Sequence, residues 1–134
     1  MVYVPLRHLP DVDDLVLAIL ESGDVTCGAN LPPDLVDRLP YVSARRFGGS
    51  AVHPQFLDRA TITVDAYAAT RRAAADLAET CRVLLYAAWR SQTTHGGASV
   101  AHYSEVTAPA ELRTDGQLER LHRYQAAYSL HIRP

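Results

Sequence analysis

The sequence predicts an α+β domain with element order α-β-β-α-β-β, its helices packed on one face of a small antiparallel or mixed four-stranded sheet. Three observations carry this. Two segments repeat apolar residues at the three-and-four spacing of a helix, and four read as strands, two of them with clean period-two alternation. A length of 134 residues leaves room for one domain, spanning 1–134. Apolar residues at 48% and charged residues at 21% are ordinary globular proportions, which exclude a disordered chain.

Asp11 is placed to cap the first helix, with Asp14 in its first turn where acids favour the dipole. Val12, Leu15, Val16, Ile19 and Leu20 then form one apolar stripe, and Ser22-Gly23 ends it. Asp24 to Pro40 is turn-rich, with space for a short helical turn at Asp34 to Leu39. Tyr41 to Phe47 reads as a strand closed by Gly48-Gly49-Ser50, and a loop with His53-Pro54 follows. From Arg59 to Tyr67, Ala60, Ile62, Val64 and Ala66 alternate with Thr61, Thr63, Asp65 and Tyr67, so one sheet face meets the core. These two strands are expected to pair as a hairpin with a long loop from Phe47 to Phe56.

Ala69 to about Gln92 is a long helix. A wheel centred on Leu77 gathers Ala73, Ala74, Cys81, Leu84 and Ala88, and leaves Val83, Tyr86 and Trp89 on the far face. That second apolar cluster requires a partner, a local loop or another subunit. His95-Gly96-Gly97 turns the chain into a strand from Val100 to Thr107, which Ala108-Pro109 is expected to end. A loop to Gly116 precedes the last strand, Glu119 to Ile132, with Tyr124, Ala126, Tyr128, Leu130 and Ile132 on one face.

Charge and cysteine content exclude several classes of function. Thirteen basic and fifteen acidic residues leave a formal charge of -2, so no bulk attraction to nucleic acid or acidic membranes is expected. Every basic residue is arginine, which a GC-rich coding sequence explains more simply than interface chemistry does. No apolar run reaches the ~18 residues of a membrane span. The start, Met1 to Arg7, lacks the pattern of a secretory signal, and the expectation is a soluble, intracellular product. Cys27 and Cys81 form no CxxC pair and are expected to stay reduced.

Catalytic chemistry is hard to place on this chain. Six histidines fall in six different segments without HxH or HExxH spacing; His102 and His131 lie on neighbouring strands and are the one pair able to approach. No Gly-x-Ser-x-Gly elbow is present, and Gly48-Gly49-Ser50 lacks the spacing and lysine of a phosphate loop. Asp58 and Asp65 sit seven apart, hence on opposite faces of a strand, which disfavours a paired acid-base site. The arginine doublets Arg45-Arg46 and Arg71-Arg72 flank the central strands without the aromatic ladder of an RNA-binding sheet. Solvated or ion-paired side chains, or contacts between subunits, account for them. The expectation is no catalytic residue, no cofactor and no metal.

The central wording is nonetheless distinctive. Leu39-Pro40 and Val42-Ser43-Ala44-Arg45-Arg46-Phe47-Gly48-Gly49 lead to Asp58-Arg59-Ala60-Thr61-Ile62-Thr63-Val64-Asp65-Ala66-Tyr67-Ala68. Thr70-Arg71-Arg72-Ala73-Ala74 and Asp76-Leu77-Ala78 then open the alanine-rich helix. This resembles the tail terminator proteins of long-tailed bacteriophages, especially the small ones from phages of high-GC actinobacteria. The recognisable pattern runs from Leu39 to Leu85 and consists of structural residues.

The resemblance implies a non-enzymatic virion protein of the tail and neck, assembled in the host cytoplasm. It implies a ring, six copies being typical, on the head-proximal end of the tail tube. Such a ring stops tube polymerisation and meets the head connector or stopper protein. Genomic DNA passes through its channel without specific binding, and no membrane is involved. A closed ring needs two different patches that meet around a rotation. The candidate interface residues are Val83, Tyr86 and Trp89 on the helix, Phe47, Gly48, Gly49 and Phe56 in the hairpin, and Arg45, Arg46, Arg71 and Arg72. Rival expectations are a head completion or stopper protein of the same neck, a small metal- or ligand-binding enzyme domain using His102 and His131, and an RNA-binding module using Arg45 and Arg46.

Overall fold

The computed structural model describes residues 8–112 and 121–134. Met1 to Arg7 lies outside the described residues, as do most of the loop expected up to Gly116 and the expected strand start at Glu119. The elements are α1 (Val12–Ser22), β1 (Cys27–Gly28), a 3-10 turn (Leu35–Arg38), β2 (Tyr41–His53), β3 (Leu57–Ala68), α2 (Arg71–Ser91), β4 (Ser99–Glu111) and β5 (His122–Arg133). One mixed sheet forms in the order β1-β2-β3-β5-β4, with β1 parallel to β2 and every other pair antiparallel. The α+β class therefore stands, with five strands where four are expected. The additional strand has two residues, too few for any alternation to show in sequence.

Alternation on β3 and β5 builds the core face. Val64 sits between Ala44 and Ala126, and Ile62 lies opposite Tyr128, so apolar side chains form continuous rows across the strands. Both helices pack on that face, and α1 contributes Val12, Leu15, Val16, Ile19 and Leu20, the stripe its spacing predicts. Asp11 caps α1 by accepting from the Asp14 amide at 3.1 Å. Thr70 caps α2, accepting from the Ala73 amide at 3.1 Å.

Helix α2 is rotated from the expected wheel. Ala74, Ala78, Cys81, Leu85 and Ala88 are buried; Leu77 and Leu84 are only partly so, and Ala73 is exposed. Small residues occupy the line of closest approach because they let the helix lie against the sheet, and the leucines fill its sides. Gly23 allows one such contact, since a Cβ there would meet the Leu84 methyls at 2.6 Å.

Two strands run on past the residues expected to end them. Strand β2 does not stop at Gly48-Gly49 but continues to His53, and the loop shrinks to Pro54, Gln55 and Phe56. Two register shifts against β3, between Arg46 and Gly48 and between Ala51 and His53, each accommodate one extra β2 residue. The glycines serve the first bulge: Gly49 holds a φ of +97°, and a Cβ on it would meet the Arg59 carbonyl oxygen at 2.1 Å. Strand β4 passes through Ala108-Pro109 to Glu111. Its place at the sheet edge, with register shifts between Glu105 and Ala110, tolerates a proline that donates no ladder bond.

Candidate assembly surfaces

Among the described residues, two groups of exposed apolar side chains lie on opposite flanks of the sheet, while Leu31, Val36, Val106 and Leu112 are exposed outside them. On one flank the β2–β3 hairpin forms a short arm whose tip, from Val52 to Leu57, passes beyond the β3–β5 pairing that ends at Asp58. The two residues accommodated by its bulges are Phe47, 61% exposed, and Val52, 54% exposed; Phe56 in the turn is 51% exposed. A bulge breaks the alternation that otherwise returns every second side chain to the core, so it re-aims these residues outward. His53 lies against Phe56 with ring centres 4.7 Å apart.

The root of the arm is braced by Arg46. Its guanidinium grips the buried Asp58 through two bonds, Nη1 to Oδ2 at 2.5 Å and Nη2 to Oδ1 at 3.0 Å. Nε donates to the Gly48 carbonyl at 2.9 Å, and the Arg46 amide donates to Asp13 of α1 at 2.7 Å. One residue thus fastens α1, both sides of the first bulge and β3. Its neighbour Arg45 points to the opposite sheet face, is exposed, and makes no ion pair among the described residues.

On the other flank, α2 and the edge strand β4 enclose an open groove lined by Glu79, Arg82, Val83, Tyr86, Tyr103 and Glu105. Val83 is 56% exposed and Tyr86 48%. Arg82 spans the groove floor, reaching Glu105 of β4 at 2.7 Å and Glu79 at 3.3 Å. Arg71 ties α2 to Glu111 at 3.3 Å, and Arg72 reaches Asp76 one turn on at 3.5 Å.

Trp89 does not lie on the far face. It stacks on Tyr103 with ring centres 6.2 Å apart, meets Tyr86 and His102 edge-on at 5.7 and 5.4 Å, and carries Arg90 over its ring. Strand β4 is the local partner that the far-side cluster requires, and it covers Trp89 while leaving Val83 and Tyr86 open. The sequence reading omits Val52; a lone valine beside His53-Pro54 carries no periodic signal.

His102 and His131 do approach, with ring centres 5.3 Å apart. Burial, then His102 and Arg59, hold the His131 pKa below its ordinary value. No cluster of three or more His, Cys, Asp or Glu able to hold a metal ion occurs among the described residues. Asp58 and Asp65 are ion-paired separately, the first with Arg46 and the second with Arg123 at 3.1 Å. Both cysteines are free thiols. Burial pushes Cys27 up to about 11 and Cys81 up to about 12, which leaves both poor nucleophiles at neutral pH. The better-formed surface hollows are open and measure about 260 to 370 Å³, at the low end for sites that engulf a small molecule. No helix among the described residues is long and apolar enough to cross a membrane.

The result is a small α+β scaffold that closes its core on one sheet face and leaves apolar side chains exposed on two flanks. The chain belongs to the phage tail termination protein family, whose family model matches residues 8–134. It is a structural protein of the phage tail, with the virion as its setting. No curated protein matches the chain closely enough to narrow this further.

Proposed function

We propose that this protein closes the phage tail tube at its head-proximal end as a ring of six copies, halting tube polymerisation and presenting a surface to the head connector or stopper protein. The carrying observation is the family match across residues 8–134, nearly the whole chain. Assembly takes place in the host cytoplasm, and the genome later passes through the channel of the ring. The protein performs no reaction of its own and needs no cofactor.

The physical features support this reading. Two unlike patches on opposite flanks suit a heterologous contact, which closes into a ring when the rotation between copies is right. A formal charge of -2 avoids the dense phosphate contacts that would hold DNA in the channel. Polymerising tube subunits with and without this chain tests the proposal. Tubes that stop growing, with the protein bound at one end only, are expected. Unchanged tube growth, or binding to a head connector with none to tubes, would replace it with the stopper reading.

A further inference from the structure

Resting on the ring proposed above, we infer that the β2–β3 arm of one copy seats in the α2–β4 groove of the next. Placement is the first argument. In the order β1-β2-β3-β5-β4 the arm belongs to one side of the sheet and the groove to the opposite edge. The two do not meet within one chain, and a repeated rotation brings each arm to a neighbour's groove.

Chemistry is the second argument. Phe47, Val52 and Phe56 on the arm are each more than half exposed, as is Val83 in the groove beside the 48% exposed Tyr86. Aromatic side chains of this kind are frequent anchors of protein interfaces. The arm presents them on a paired ladder braced by Arg46, so little conformational entropy is lost on docking.

Charge is the third argument, and it selects the occupant. From residue 45 to 59 the arm carries Arg45, Arg46 and Arg59 against Asp58 alone. Among the described residues, the groove and its continuation along α2 are lined by Asp76, Glu79 and Glu105 against Arg82, with Arg90 one turn beyond over the Trp89 ring. Arg72 touches Asp76 from outside the groove at 3.5 Å. A net positive arm and a net negative groove attract between unlike flanks and repel between like ones, which disfavours a two-fold dimer and favours head-to-tail addition.

The test is a cysteine pair, Val52→Cys with Val83→Cys in one full-length chain, oxidised mildly in the presence of tail tubes. The native thiols react poorly, so the background is low. A ladder of cross-linked species up to the ring's copy number is expected, absent from each single variant. Arg59→Glu should weaken assembly at least tenfold, and adding Glu79→Arg should restore most of it. Rings that form without the ladder and tolerate Arg59→Glu overturn this inference and leave the ring standing. Cross-links to the tube subunit in place of the ladder overturn it too, by giving the arm another occupant. A chain that stays monomeric beside tubes overturns the ring and this inference together.

Discussion

On the α2–β4 flank, Trp89 rests among Tyr86, Tyr103 and His102 of its own chain, and Val83 and Tyr86 are left open above them. On the β2–β3 arm, Phe47 and Val52 project from bulges and Phe56 has His53 beside it. Both flanks carry surplus apolar residues, but one is floored by a covering strand, and the other sits on bulges along the β2 side of the sheet and at a hairpin tip just beyond the β3–β5 pairing. An apolar residue off the core stripe of a helix is thus not yet an interface residue; what the neighbouring strand covers decides.

The comparison breaks most severely if the arm's root is cut. Arg46→Ala leaves Asp58 buried without its cation and removes the bond to the Gly48 carbonyl, while the Asp13 bond to the backbone amide remains; it should destabilise the fold by about 3 kcal/mol or more, read by urea denaturation. A loss below about 1 kcal/mol would mean the arm is not braced there.

Trp89→Ala comes next, at about 2–3 kcal/mol of stability, because the ring is part of the core's margin. Phe56→Ser should change stability by less than about 0.5 kcal/mol. Equal losses for the two variants in thermal denaturation would erase the distinction between the flanks.

The smallest effect concerns pH. His131 is held more neutral in the fold than in the unfolded chain. Between its lowered folded pKa and the unfolded value near 6.5, the unfolded chain therefore binds more protons, and stability rises with pH through that window. Acidification from about pH 7.5 toward 5 should lower the melting temperature more in the native chain than in His131→Gln. An identical slope for both would remove His131 as a contributor.

Much of the scaffold was legible in the residues. The β3 alternation from Ala60 to Ala66 and the α1 stripe from Val12 to Leu20 appear as read, because each has a long, clean period. The glycine pair misleads because glycine serves strand ends and bulges alike, and only cross-strand register separates the two. Pro109 misleads in the same way, since a proline allowed on an edge strand looks like a stop until the strand order is known. Arg45 and Arg46 form one doublet in sequence, yet adjacent strand residues face opposite ways, and among the described residues Arg46 finds an acid where Arg45 does not. Of the candidate surface residues, Val83, Tyr86, Phe47 and Phe56 are exposed, while Trp89 is covered by β4, whose position beside α2 no helical wheel contains.

The measurement closest to the central claim is an averaged electron-microscopy map of this chain bound to tail tubes. A ring of identical subunits on one tube end is expected, each touching its neighbours through two different flanks. Bare tube ends with the protein free in solution, or copies facing one another through the same flank, would contradict it.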